Sequence, residues 1–200
     1  MSGIISDNVG RASGLVKAAG GGGSMTFLAT IAMSSQATAT FDGYFTSDYD
    51  VYEYQFSNIL CATNDGTFDY RVRISSSDAS GSYYYGATRG TDRQSGSNGD
   101  INEGGWAQTT GHLMHRGISS TATYTWNANF TCYNPLSTAS FKYHNWQWGA
   151  RSEGSSPTHL YSVIGAGGYE STSALTGHTF SNGSGDFASG RITLWGLKHS

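Results

Sequence analysis

Histidine is the residue type in this chain best suited to bind a metal ion, and the chain has six histidines. His112 and His115 are three residues apart, a spacing that places two side chains on one face of a helix. The surrounding pattern is that of a β-strand, which turns them to opposite faces. The remaining histidines have no cysteine or carboxylate at ligand spacing: His144, His159, His178 and His199. We therefore expect histidines at the surface and in loops, with no metal site and no cofactor.

Carboxylates are the candidates for hydrolysis of a glycosidic bond, which in most such enzymes requires two of them across a cleft. The chain offers five in and after its long glycine-rich region: Asp92, Asp100, Glu103, Glu153 and Glu170. No pattern pairs any two of them. A G-x-S-x-G nucleophile motif is absent from the sequence, and GAGGYE at 165–170 lacks the lysine of a phosphate loop. The sequence therefore predicts a protein that is not an enzyme.

Aromatic side chains are the third kind of candidate, because exposed rings on a β-sandwich can stack on the faces of sugars. The segments around SYYYG and NWQWG contribute four such rings: Tyr84, Tyr143, Trp146 and Trp148. Strand alternation places Tyr143 and the two tryptophans on opposite faces. Rings on both faces also fit a domain core on one side and a subunit interface on the other. Both alternatives stand on the sequence alone, and we favour the interface.

Composition favours an all-β protein with many turns. Charged residues make up 12% of the 200 residues and aromatic residues 14%, with 28 glycines and 2 prolines. A formal net charge of −3 provides no positive surface for nucleic acid or an anionic membrane. The apolar runs are also too short to span a membrane. We therefore expect neither nucleic acid nor a membrane as a partner.

Cysteine usage and the first residues bear on the compartment. Cys61 and Cys132 are too few for a disulfide scaffold or a four-cysteine metal site. Two buried thiols are the favoured interpretation, and a single disulfide between them is the alternative. MSGIISDNVG lacks the basic start and the long apolar stretch of a secretory signal. We expect synthesis in a cytosol.

The positions of the elements follow from apolar–polar alternation, which begins at Met25. In the first strand, Phe27, Ala29, Ile31 and Met33 are expected on one apolar face. Two alternating segments, DYDVYEYQFSNIL at 48–60 and TFDYRVRISS at 67–76, flank ATNDG, a turn typical of antiparallel hairpins. Further strands are expected at 83–85, 106–112, 119–133, 141–150, 159–164, 175–180 and 190–200, with an extended loop after 85. The predicted fold of residues 25–200 is an antiparallel β-sandwich, jelly-roll-like.

Residues 1–24 differ in composition from the rest and form a separate region. Aliphatic pairs stand among polar residues and two cations, and this set is expected to anchor the chain in a groove of a partner: Ile4, Ile5, Arg11, Leu15, Val16 and Lys17. A hinge is expected at Gly20, Gly21, Gly22 and Gly23. GGGGS also resembles an engineered linker, so two origins are open. We favour a natural, extended anchoring arm.

Three segments resemble a known family. SGIISDNVGRASGLVKA followed by glycines resembles the N-terminal leader of small virion proteins of tailed bacteriophages, especially marine ones. SDYDVYEYQFSNILCATNDGTFDYRVRISS is similar to a recurrent segment there, with a Tyr-Asp-x-Tyr strand, an Ala-Thr-Asn-Asp turn and an Arg-x-Ser strand. GDFASGRITLWGLKHS resembles the family's closing strand. The likeness covers about half of the chain and leaves residues 80–160 unmatched.

This resemblance implies a component of the virion, made in the cytoplasm of a host bacterium. It implies a β-sandwich, commonly a homotrimer, held on phage capsid or tail proteins by its N-terminal arm. Two functions fit these expectations. The first is a capsid decoration or head-fibre protein, which the short arm favours. The second is a receptor-binding tail-fibre protein that recognises bacterial surface glycans.

Overall fold

The computed structural model describes residues 25–64, 66–93, 99–152, 159–183 and 185–198. The predicted anchoring arm and glycine hinge at 1–24 lie outside these residues. The described residues form thirteen strands: β1 (Met25–Gln36), β2 (Thr38–Asp42), β3 (Val51–Cys61), β4 (Gly66–Ile74), β5 (Ser77–Asp78), β6 (Tyr83–Arg93), β7 (Gly99–Gln108), β8 (Gly111–Ile118), β9 (Trp126–Tyr133), β10 (Lys142–Ser152), β11 (His159–Tyr169), β12 (Gly177–Asn182) and β13 (Phe187–Leu197). No helix that could span a membrane occurs in this part of the chain.

The strands form two sheets in which every pairing is antiparallel. The larger sheet has eight strands in the order β1-β13-β3-β9-β10-β11-β6-β7. The smaller sheet runs β2-β12-β4-β5, and β8 also pairs with β4. The predicted fold class, an all-β antiparallel sandwich, is confirmed.

The core lies between the sheets and is built mainly from aromatic rings. Tyr54 of the larger sheet meets Phe180 of the smaller one with ring centroids 4.9 Å apart. Tyr70 of the smaller sheet meets Phe130 of the larger one at 4.9 Å. All four side chains are fully buried. Such rings each bury about 150–250 Å², and edge-to-face pairs add about 0.5–1.5 kcal/mol beyond area burial. The core therefore joins the two sheets into one unit.

The predicted hairpin of residues 48–60 and 67–76 does not form. β3 pairs with β13 and β9 in the larger sheet, whereas β4 pairs with β12, β8 and β5 in the smaller one. Alternation predicted that each strand has one buried face. Two strands that lie in facing sheets both have a buried face, just as two neighbouring strands of one hairpin would. The ATNDG segment therefore connects the sheets.

A bulge in β1 corrects the prediction of one apolar face for that strand. The register with β13 shifts between Phe27 and Ala29. Phe27 consequently lies outside, 55% exposed, where its ring packs edge-on against Trp195 at 5.7 Å. Met33 is buried in the core, and Ala29 and Ile31 pack against it. One extra residue is enough to reverse the face, because side chains alternate with a period of two.

The described part of the glycine-rich region after Tyr85 forms two paired strands where an extended loop was predicted. β6 continues to Arg93 and pairs with β7, which begins at Gly99. Residues 119–125, predicted as part of a strand, form turns between β8 and β9 instead. Backbone hydrogen bonds stabilise β6 and β7 regardless of side-chain pattern, so an irregular sequence can still add strands at a sheet edge.

Candidate functional site

The outer face of the larger sheet carries two parallel rows of polar side chains. In the first row, Glu53, Thr131 and Asn145 lie opposite one another on β3, β9 and β10. In the second row, Gln55, Asn129 and Gln147 occupy the next outward positions of the same strands. They face outward because they alternate with buried core rings. Neighbouring strands are about 4.8 Å apart, so each row is a regular array of amide and hydroxyl groups.

A shallow groove of about 790 Å³ lies over five of these six residues, all except Gln55. Its floor continues onto β11 and β6, where Ala166 and Gly86 stand opposite Asn145 in register. These small side chains leave space above the sheet. Ile164, 68% exposed, borders the groove. The lining residues come from β3, β9, β10, β11 and β6, so the groove runs across the strands.

Hydrogen bonds orient polar groups of the two rows. Gln55 Nε2 donates to Glu53 Oε1 at 3.3 Å, and Trp195 Nε1 donates to Gln55 Oε1 at 3.1 Å. Asn145 Nδ2 donates to the Tyr133 hydroxyl at 3.5 Å. Side-chain amides hold both donors and acceptors, so most of their capacity is available to a ligand.

An aromatic row lies beside the polar rows, two residues further along each strand. Tyr133 of β9 lies directly opposite Tyr143 of β10. The row continues across Gly168 to Tyr84 of β6, whose ring packs against Trp106 of β7 with centroids 5.5 Å apart. Trp106 is 69% exposed and Tyr143 is 53% exposed. We call these four rings the aromatic row.

Gly168 makes the continuity of the aromatic row possible. A Cβ atom at this position would lie 2.7 Å from the Tyr84 hydroxyl and 2.3 Å from the backbone oxygen of Lys142. The Tyr84 ring therefore extends over Gly168 towards Tyr143, to which it is hydrogen-bonded. Burial, together with Tyr143, raises the pKa of Tyr84 to about 12, so its hydroxyl is protonated at neutral pH. Tyr84 thus presents a neutral ring in a fixed orientation.

The structure separates the four rings that the sequence singled out. Tyr84 and Tyr143 lie on the outer face, as described. Trp146 and Trp148 are 3% and 5% exposed and face the core, which corrects the prediction that they stack on a glycan or pack in a subunit interface. Trp146 covers Gly165, and Trp148 Nε1 donates to a backbone oxygen of β8 at 2.8 Å. Both tryptophans are on the strand face that the smaller sheet covers.

Other residues of the outer face were not predicted from the sequence. A role for these residues is visible only from their neighbours on other strands, and they are Tyr133, Trp106 and the six polar residues of the two rows. The period-two spacing of amides in β9 and β10, at Asn127 and Asn129 and again at Asn145 and Gln147, was the available signal. Spacing within one strand shows that amides share a face, but only the strand order shows that they form rows.

Two histidines predicted at the surface or in loops are in the core instead. His144 of β10 and His178 of β12 are fully buried, so the prediction was wrong for both. His178 comes from the smaller sheet and meets His144 of the larger sheet, with the Nε2 atoms 3.1 Å apart. Cys132 lies opposite His144 on β9. The Sγ atom of Cys132 and one nitrogen of each ring lie within 4.8 Å of one another.

Two tyrosine hydroxyls lie within hydrogen-bond distance of the Nδ1 atoms of these rings. The Tyr54 hydroxyl lies 3.1 Å from His178 Nδ1, and the Tyr70 hydroxyl lies 3.4 Å from His144 Nδ1. Phe130 stacks on the His144 ring at 5.0 Å between centroids. We call Cys132, His144 and His178 the buried cluster.

Burial decides the protonation of the buried cluster. It lowers the pKa of His144 to about 3, with a smaller contribution from the Lys142 ammonium group. It also lowers the pKa of His178 far below the ordinary value, and His144 adds to this effect. Burial raises the pKa of the Cys132 thiol, which the nearby Lys142 charge opposes. At neutral pH the cluster therefore consists of two neutral imidazoles and a thiol.

The cysteines are free and buried, which confirms the favoured interpretation over a disulfide. Burial raises the pKa of Cys61 to about 12. His112 is half-buried, and its Nδ1 lies 2.6 Å from Asp69 Oδ1 where β8 pairs with β4. The side chains of His115, His159 and His199 are outside those that the structure describes.

No protein-family model matches this chain, and no curated protein matches it.

Proposed function

We propose that the protein is a surface protein of a tailed-bacteriophage particle, and that its outer sheet face binds glycans of the host surface. Support for a virion protein comes from the resemblance of the leader, the first long segment and the closing strand. In this proposal, residues 1–24 anchor the chain on a capsid or tail protein and the sandwich of residues 25–200 points away from the particle. Trimerisation would present three glycan-binding faces, so that modest single-site affinity adds up by avidity.

The observation that carries glycan binding is the juxtaposition of the aromatic row with the two polar rows on one exposed face. Sugars combine apolar C–H faces with a rim of hydroxyl groups. Rings such as Tyr143 and Trp106 fit the first feature, and the amides of Asn145 and Gln147 fit the second. Both sets run across the strands, so successive sugar units of a chain would meet the same chemistry.

Binding without hydrolysis fits this groove better than catalysis. Among the described residues that line it, Glu53 is the one carboxylate. Most glycosidases need a second carboxylate across the scissile bond to act as acid or nucleophile. Glu53 instead lies within hydrogen-bond distance of Gln55, in a position to accept from a sugar hydroxyl.

Capsid decoration is the second candidate, and exposed apolar side chains favour it. Ile164, 68% exposed, and Leu160, 57% exposed, project from the outer face of β11, with Trp106 at the nearby sheet edge. Large apolar side chains that are exposed on one sheet face fit a surface that another subunit covers. If a trimer buries this face, the polar rows become interface contacts and are closed to a glycan.

A binding assay tests the glycan proposal. The full chain is titrated with purified bacterial O-polysaccharides and capsular polysaccharides, and binding is followed by calorimetry. Tyr143→Ala should weaken binding about tenfold or more, the range expected when a central ring of an interface is removed. Tyr44→Ala is the matched control, because Tyr44 is exposed but belongs to the loop after β2. Equal affinity of both variants would contradict glycan recognition by the aromatic row.

A second measurement separates the two candidates. The mass of the wild type and of Ile164→Asp is determined by light scattering. Decoration through a buried outer face predicts a trimer that Ile164→Asp dissociates, and no binding to any polysaccharide. Glycan binding predicts affinity for at least one polysaccharide and an unchanged mass in Ile164→Asp. Electron microscopy of labelled particles would then locate the protein on the head or the tail.

A further inference from the structure

We propose that Cys132, His144 and His178 form a binding site for a monovalent thiophilic metal ion, Cu⁺, between the two sheets. The inference rests on the side chains of the buried cluster and is independent of the proposed function. Three residues that are distant in sequence bring three metal-binding atoms together in a region otherwise filled by aromatic rings.

The directions of the two rings provide the first argument. Hydroxyl groups of Tyr54 and Tyr70 occupy both Nδ1 positions. Both Nε2 atoms are thereby turned towards each other, and the Sγ atom of Cys132 lies within 4.8 Å of one nitrogen of each ring. Metal-binding histidines commonly have their second nitrogen held by a polar partner, which fixes the ring for coordination.

The distances provide the second argument. Two imidazole nitrogens at about 2.0–2.1 Å from one metal ion that has three ligands in a plane are about 3.5–3.6 Å apart. The two Nε2 atoms are 3.1 Å apart, so small shifts of the rings would admit an ion between them. A hydrogen bond between two imidazoles also fits this distance, but it makes no use of the third ligand atom, the sulfur of Cys132.

The charge of the ion and the number of ligands both favour Cu⁺ over Zn²⁺. On binding, the Cys132 thiol releases its proton to solvent and the sulfur donates an electron pair to the metal. Cu⁺ with one thiolate and two neutral imidazoles has no net charge, whereas Zn²⁺ with the same ligands leaves one positive charge in an apolar core, which is costly. Zn²⁺ also prefers four ligands, and the described residues bring three together. Soft thiolate ligands favour Cu⁺.

The surroundings would retain such an ion. Phe130 stacks on His144, and Phe180 stacks on His178 with centroids 5.9 Å apart. The three ligand residues are fully buried, so exchange with solvent requires opening of the sandwich. We therefore expect loading during folding and slow release from the folded protein.

The test uses the full chain, unfolded in denaturant and refolded without oxygen in the presence of one equivalent of Cu⁺ and a reductant. After removal of loosely bound ions with a chelator, metal content is measured by mass spectrometry. The expected result is close to one copper per chain, with one sulfur and two nitrogen ligands by X-ray absorption. A wild type that retains less than a tenth of an equivalent would overturn the proposal.

Matched cysteine variants locate the site. Cys132→Ala should lose the copper, whereas Cys61→Ala, which removes the other buried thiol, should retain it. Equal retention by both variants would overturn the assignment. If Cys132→Ala does not refold, the site is located by alkylation of the wild type under mild denaturation. Bound copper should protect Cys132 from alkylation and leave Cys61 reactive. A parallel refolding with Zn²⁺ that yields one tightly held zinc per chain, in preference to copper, would overturn the choice of a monovalent ion.

Discussion

Acid should destabilise this protein because His144 is buried in the neutral form. Its pKa falls from the ordinary value of 6.5 to about 3 in the folded chain. Between these values the unfolded chain binds more protons, so the free energy of unfolding decreases as the pH falls from 6.5 to about 3. At 1.36 kcal/mol per pH unit, His144 alone removes about 2 kcal/mol between pH 7 and pH 5. His178, whose pKa burial also lowers, acts in the same direction.

Urea unfolding of metal-free protein, followed by tryptophan fluorescence at pH 7 and pH 5, measures this loss. His144→Phe keeps a ring against Phe130 but cannot take up a proton, so its loss should be smaller than that of the wild type by about 2 kcal/mol. Phe130→Leu is the matched control, because it weakens the same core and retains both histidines. Between pH 7 and pH 5, its free energy of unfolding should decrease by as much as that of the wild type. If His144→Phe loses the same amount as well, the neutral state of His144 is not the source of acid sensitivity.

Three further predictions concern the core, the outer face and the leader. Gly165→Ala should lower the free energy of unfolding in the urea assay by about 1–3 kcal/mol, because the new Cβ would lie 2.3 Å from the Trp146 ring. Gly86→Ala is its control, because a Cβ at that position would have no atom within 4 Å. This control should change the free energy of unfolding by less than about 0.5 kcal/mol. Trp148→Phe should destabilise the protein by about 1–3 kcal/mol through loss of its buried hydrogen bond. It should leave polysaccharide affinity unchanged in calorimetry, and weaker binding would mean that this ring reaches the ligand. Residues 25–200 should fold alone but fail to co-sediment with particles that lack the protein, whereas co-sedimentation at wild-type level would refute anchoring by the leader.

Alternation in the sequence was sufficient to predict the fold class and which side chains of a strand lie on the same face. In β3 and β4, residues two apart are buried together, as Tyr52 and Tyr54 are in β3 and Tyr70 and Val72 are in β4. In β10, the same alternation placed Trp146 and Trp148 opposite Tyr143, but it did not say which face would be covered. This information is local, because each residue in a strand points away from its neighbours whatever strand lies beside it.

The partner of each strand was decided only in the tertiary structure. ATNDG has the composition of a hairpin turn, yet β3 and β4 belong to different sheets. The pairing of a strand depends on all the sheet edges and core faces with which it could pack. The sequence of a short turn contains no information about these distant elements. A single bulge at β1 likewise moved Phe27 to the outside, and no signal in the sequence marks it.

Both candidate sites depend on this non-local information. The rows of the outer face require the order β3, β9, β10, β11, β6 and β7, and the buried cluster requires β12 to lie across from β10. By itself the sequence determined which side chains share a face of one strand, because a period of two is a property of the extended backbone. Only the tertiary structure determined which faces meet, because His178 and His144 come together through the packing of two sheets and not through their spacing in the chain.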